Sequence, residues 1–303
     1  MTITGSPGIG KTRLAIEAAA SLRDDFEDGV FFVGLAPVRD PVNLPAAIAG
    51  SLGLRTSGDQ THLEAVTNYL HTKQALLVLD NFEQILESAP MAADLLEACP
   101  YIKLLVTSRS ALRIRAESQF TLAPPGLPDN ARSPVELISH SPAVAMFVDR
   151  ARAVCPDLSL TEENAPLVVE ICQHLEGVPL AIELAAAASD RLSLPDLAEQ
   201  LNRRLATLTD GFLDLLARQR SLRSAIDWSY HLLPAAEKEL FDSLGVFRGG
   251  CTIEAAAAIA GQEQIEVRFT SLVNKNLLRE TGGESEERRC ANTRWSGSKS
   301  AGY

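Results

Sequence analysis

Over the first 125 residues, short runs of consecutive apolar positions alternate with stretches whose apolar positions recur every three or four residues. The first pattern predicts strands and the second amphipathic helices. Strands are expected at residues 1–4, 29–35, 75–80 and 102–109. Ala75-Leu76-Leu77-Val78-Leu79-Asp80 has no polar position before its carboxylate, as expected of a parallel strand covered on both faces. Helices are expected at 13–20, at 40–54 (opened by Pro41 or Pro45 and closed near Gly53), at 62–70, and at 83–98 in spite of Pro90. This alternation predicts a doubly wound parallel α/β sheet, a fold that takes its ligands at the carboxyl ends of its strands.

Beyond it the pattern changes. Pro124-Pro125-Gly126-Leu127-Pro128-Asp129, continuing to Pro134, has the composition of a linker. Helical periodicity then covers 141–154, 161–176, 179–190 and 195–205, with Thr161 ahead of Glu162 and Glu163 as an N-cap. Further helices are expected at 222–232, 234–244, 252–260 and 265–275, with Gly249-Gly250 as a turn and 276–280 as a short strand. Helices followed by a small hairpin suggest a winged-helix unit, with Trp228 and Tyr230 in its core. The expected organisation is a nucleotide-binding domain at 1–125, a linker at 126–140, a helical domain at 141–218, a winged-helix domain at 219–280 and an irregular tail at 281–303.

Composition narrows the setting. Apolar residues make up 46% and charged residues 22% of the 303, and the formal net charge of −11 argues against direct DNA binding by this chain. Five cysteines are scattered without a C-x-x-C pair, which points to reduced thiols in a cytoplasmic protein. No apolar run approaches the roughly 20 residues that cross a bilayer. The first strand begins so early that no signal peptide is expected ahead of it.

Between the first strand and first helix lies the candidate chemistry. Gly5-Ser6-Pro7-Gly8-Ile9-Gly10-Lys11-Thr12 satisfies G-x-x-x-x-G-K-[ST] at every fixed position, in a strand–turn–helix setting. The glycines let successive N–H groups curl toward phosphate oxygens, and the helix N-terminus adds positive potential. Lys11 would reach the β- and γ-phosphates and the Thr12 hydroxyl would ligate Mg²⁺. Asp80 closes a buried strand where phosphate-loop proteins keep a carboxylate for the metal. Arg109, after Val106-Thr107-Ser108, stands where a cation could sense a γ-phosphate. Glu83 is read as a solvated glutamate at a helix start rather than a water-orienting group. Gly177-Val178-Pro179 separates two helical runs by a turn whose backbone can approach a flat ligand.

In this order the landmarks resemble the STAND class of signal-transduction ATPases, and more narrowly the NB-ARC-type (AP-ATPase-like) module of bacterial LuxR-like transcriptional regulators. The resemblance rests on segments 4–15, 77–83, 106–109, 176–186, 222–230 and 244–256, and covers residues 1 to about 280. It implies that loop residues Gly5, Ser6, Pro7, Gly8, Ile9, Gly10, Lys11 and Thr12, with Arg13 at the loop's exit, bind ATP or ADP. It implies that Thr12 and Asp80 hold Mg²⁺, that Lys11, Asp80 and Arg109 act in hydrolysis, and that Pro179 packs near the adenine. Such proteins are switches, closed around ADP and self-associating with ATP, at most slow ATPases.

The chain also departs from that pattern. Leu233 stands where a capping residue often precedes Pro234, and His231 where relatives commonly carry an acid. Residues 288–303 lack the expected terminal helix. One guessed set of codons for 290–303, read in another frame, encodes LREHAVERLEERGL, which suggests a frame-shifted, truncated end; the DNA sequence decides this, and in-frame continuity in close relatives would sink it. Two other readings stay open, a dedicated P-loop enzyme such as a kinase and an inactive truncated product. No acceptor-substrate motif and no Asn-Lys-x-Asp run is present, so adenine is preferred to guanine.

Overall fold

The computed structural model describes residues 1–55, 60–128, 134–208, 230–231, 233–247, 251–260, 265–274, 277–281 and 289–292. The chain divides into two compact units, Met1–Ser6 with Gly10–Ala123, and Pro7–Ile9 with Pro124–Tyr303.

The first unit is built on β1 (Thr2–Thr4), β2 (Val30–Gly34), β3 (Leu76–Asp80), β4 (Lys103–Ser108) and β5 (Gln119–Thr121). They form one sheet in the order β2-β3-β4-β1-β5, every neighbouring pair parallel. Between them run α1 (Lys11–Ser21), α2 (Leu44–Ser51), α3 (His62–Leu70) and α4 (Ala89–Ala98). Alternate strand residues feed two cores, as the pleat requires. Leu77, Leu79, Leu104 and Val106 join Leu44, Val66, Phe82 and Leu95 in one core. Leu76, Val78 and Leu105 join Ile3 and the α1 residues Ala15 and Ala19 in the other. Every residue of β3 is buried, matching its unbroken apolar run. Each such leucine contributes about 1.5–3 kcal/mol, so the two central strands anchor the sheet.

Two features differ from the sequence expectation. β5 was not expected, because Gln119-Phe120-Thr121 is exposed throughout and shows no apolar run. It is held at the sheet's edge by backbone pairing to β1, extended by Thr2 N donating to Ser118 O and Leu122 N to Thr4 O, at 2.7 and 2.8 Å. Such pairing needs extended backbone, not burial. The single helix expected at 83–98 is instead a 3₁₀ segment, Phe82–Ser88, followed by α4. Ile85 breaks the helical path at φ −136° and is fully buried, while Pro90 falls in the first turn of α4, where it loses no hydrogen bond. Upstream, Thr61 and Glu64 close a reciprocal capping box at the start of α3.

The second unit is described by itself. Its helices are α5 (Val135–Ser139), α6 (Pro142–Val154), α7 (Ala165–His174), α8 (Pro179–Ala187), α9 (Leu194–Leu208) and α10 (Ala235–Ser243). These are followed by β6 (Cys251–Thr252), α11 (Ile253–Ala260), α12 (Ile265–Asn274), β7 (Leu278–Thr281) and β8 (Arg289–Asn292). One continuous core runs from Ile138 and Phe147 through Ile171 and Ile182 to Leu240, Phe269 and Leu278. Tyr230 packs against it, its ring 5.8 Å from that of Phe241, and its hydroxyl donates to Asp242 at 2.7 Å.

Here too the structure corrects the reading. The span taken as linker contains the short helix α5, anchored by buried Ile138. Thr161 does not cap α7, which starts at Ala165; it closes a turn with Asn164, each side chain accepting from the other's backbone N–H. Residues 289–292, expected to be irregular, form β8, antiparallel to both β6 and β7. Backbone pairing with two neighbours overrides the absence of any apolar alternation. Trp228, the Gly249-Gly250 turn, most of the helix expected at 222–232 and nearly all of the rest of the tail lie outside the described residues.

Candidate functional site

Sheet register sets the site. In the β1–β4 pairing Thr4 stands opposite Ser108, and in the β3–β4 pairing Leu79 stands opposite Val106. Gly5, Asp80 and Arg109 therefore emerge at the same carboxyl edge of the sheet. Behind Gly5 the chain turns through left-handed backbone at Gly8 (φ 73°) and Gly10 (φ 99°) before α1 begins. A Cβ at Gly10 would meet no atom within 4 Å, so its surroundings are open. No side chain caps α1, leaving its first-turn N–H groups to whatever lies at the loop.

Three hydroxyl and carboxylate groups meet behind the loop. Asp80 Oδ1 accepts from Thr12 Oγ1 at 2.8 Å and from Thr107 Oγ1 at 2.6 Å. Thr107 Oγ1 in turn accepts from the backbone N–H of Asn81 at 3.0 Å, and Asn81 itself sits in the left-handed region at φ 64°. Asp80 is thus buried, oriented from two sides and tied to the loop threonine. Thr107 was not singled out from the sequence; a hydroxyl beside an arginine, read against the strand register, is the signal that would have found it.

Lys11 is half-buried and folds back on the loop, donating to Gly5 O at 2.9 Å and Ser6 O at 3.1 Å. Burial pushes its ammonium below the ordinary lysine range, with the Glu83 and Asp80 charges opposing that shift and Arg109 adding to it. An anion at the loop would oppose that shift. Arg109 Nε contacts Glu83 Oε1 at 3.0 Å. The Glu83 side chain is only 10% exposed, which overturns its reading as a solvated helix-start residue.

The structure therefore brings together Lys11, Thr12, Asp80 and Thr107 with the Glu83–Arg109 pair. Arg13 is exposed on α1 and is not part of this hydrogen-bonded set. In the second unit Pro179 opens α8, and Leu180 N donates to Gly8 O at 3.2 Å. The turn before α8 is strained, with Glu176 at φ 51° and Gly177 at φ 66°. A Cβ at Gly177 would lie 2.8 Å from Pro125 O. Among the described residues no cluster of three or more His, Cys, Asp or Glu could hold a metal, and no helix is long and apolar enough to cross a membrane.

Comparison with known proteins agrees with this geometry. Residues 1–114 match the AAA domain family model. A putative HTH-type transcriptional regulator of Mycobacterium tuberculosis is 34% identical over 284 residues, 92% of this chain and 31% of that protein. An uncharacterized protein of the same species is 33% identical over 285 residues, 92% of this chain and 70% of that protein. The regulatory protein AfsR of Streptomyces griseus is 29% identical over 273 residues, 85% of this chain and 25% of AfsR. The chain thus spans about a third or less of the regulators it matches. Among solved structures, a Signal Transduction ATPase with Numerous Domains (STAND) protein with a tetratricopeptide repeat sensor from Pyrococcus horikoshii shares the fold. Its TM-score is 0.55 at 17% identity, covering 96% of this chain and 38% of that one. The chain belongs to the same family as that uncharacterized mycobacterial protein, and its first 114 residues form an AAA domain.

Proposed function

We propose that this chain is the nucleotide-binding switch of a transcriptional regulator, holding ADP or ATP with Mg²⁺ and hydrolysing ATP slowly to reset. The observation that carries this reading is the Thr12–Asp80 hydrogen bond, which joins the loop threonine to the carboxylate closing β3. Two hard oxygen donors in contact are what Mg²⁺ takes from a protein whose phosphates and waters complete the octahedron, so the residues fit the ion. The metal would neutralise phosphate charge, and Thr107 would fix the Asp80 carboxylate beside Thr12 to receive it.

Within this reading Lys11 and the amides of loop and helix start bind the phosphates, Arg109 senses the terminal one, and Pro179 packs by the adenine. The placement of Pro7–Ile9 in the same compact unit as α8 supports that last role. Residues 219–280 act as a winged helix, a reading supported by α10–α12 followed by the strand β7. The resemblance to switch ATPases supports self-association in the ATP state, and the scattered cysteines without a C-x-x-C pair support a cytoplasmic setting.

The test is the identity of nucleotide carried by the purified chain, followed by calorimetric titration with ADP and ATP. Co-purified ADP is expected, and Lys11→Ala should weaken binding by about 100-fold or more through loss of a charge-assisted phosphate contact. A wild-type chain with no affinity for either nucleotide, or a variant with unchanged affinity, would overturn the proposal.

A further inference from the structure

Glu83 is the charged group beside the loop for which the proposed function has no task. Its side chain is nine-tenths buried and one oxygen, Oε1, holds Arg109 Nε at 3.0 Å. The other oxygen, Oε2, is buried and accepts no hydrogen bond among the described residues. A carboxylate that grips a guanidinium through both oxygens gains two parallel bonds; this one is gripped through a single oxygen, and the unsatisfied one adds a desolvation cost. The pair is therefore built to be exchanged for a better anion. It is also in the right place. Arg109 follows Ser108, which pairs with Thr4, so its backbone leaves the sheet beside the start of the loop.

We propose that Glu83 is a specificity-determining residue: it sets the preference between nucleoside diphosphate and triphosphate by competing with the terminal phosphate for Arg109. This rests on the reading of Arg109 as the group that meets that phosphate. A phosphoryl group offers three oxygens and more negative charge than one carboxylate, so it displaces Glu83. A diphosphate lacks that group and leaves the pair standing. Triphosphate binding then includes the cost of opening the pair and diphosphate binding does not, which lowers the apparent triphosphate affinity by the fraction of open molecules. The ion pair thus biases the resting molecule toward ADP.

The experiment is isothermal titration calorimetry of the 303-residue chain with Mg²⁺ and either ADP or the non-hydrolysable triphosphate AMP-PNP. AMP-PNP keeps any effect on hydrolysis out of the measurement. Glu83→Gln retains the volume and removes the charge; it should tighten AMP-PNP by about tenfold and leave ADP within about twofold. In an Arg109→Gln background the same substitution should change neither affinity, since the partner it releases is gone. If Glu83→Gln melts well below the wild type by circular dichroism, Glu83→Asp, which withdraws the carboxylate from Arg109, should give the same selective gain. Equal shifts for the two nucleotides, or weaker AMP-PNP binding, would overturn the role of Glu83 while leaving nucleotide binding intact. A wild-type chain that binds neither nucleotide would overturn both.

Discussion

Two glycines, Gly10 and Gly177, show the same backbone requirement met for different reasons. Both have positive φ, 99° and 66°, where a side chain is strained. At Gly10 a Cβ would find nothing within 4 Å, whereas at Gly177 it would lie 2.8 Å from the Pro125 carbonyl oxygen and 3.5 Å from Pro124 Cβ. Gly10 belongs to a turn that curls around open space, as a loop that receives a ligand must. Gly177 belongs to a turn pressed against its own unit's chain, so its missing side chain is used for packing. Glycine in a motif says that the backbone is special; only the surroundings say whether a ligand or the protein occupies the space.

That contrast can be broken by substitution. Gly177→Ala should have the largest effect on folding, about 3 kcal/mol or more, because left-handed strain adds to a backbone clash that no rotamer change relieves. Chemical denaturation would measure it, and a loss near that of an ordinary exposed glycine would mean that Pro125 yields. Gly10→Ala carries the strain alone, about 1–2 kcal/mol. It should instead weaken ADP binding by about tenfold or more, since the methyl intrudes where backbone must approach phosphate. Full ADP affinity in that variant would remove the distinction between the two turns. Thr61→Ala gives the smallest effect and a scale for the others. Loss of the α3 capping box should cost about 1 kcal/mol with ADP affinity unchanged, as expected of a contact outside the site.

The two units were unequally legible. β3 and β4 follow directly from apolar runs, since strands buried on both faces can carry little else. β5 escaped because edge pairing places no demand on side chains. In the second unit the helices were visible in their periodicity, but their starts were not. Thr161 followed by two glutamates looks like a cap, yet its hydroxyl accepts from the Asn164 N–H in a reciprocal turn ahead of the helix, which starts only at Ala165. Glu83 was misread for a related reason. At a helix start a glutamate belongs in solvent, but Arg109 from the next strand's end holds this one in a largely buried ion pair.

By itself the sequence determined the phosphate loop, the strand that delivers Asp80 and the alternation that makes the sheet parallel. All of these are local: a glycine pattern, an apolar run and a period, each sufficient within a few residues. The tertiary structure alone decided that Thr107 holds Asp80, that Glu83 occupies Arg109 and that Gly177 is closed by Pro125 while Gly10 stays open. Those contacts join residues well apart in sequence, and which side chains of the paired strands meet depends on their register. A one-residue slip would turn a different side chain toward the loop.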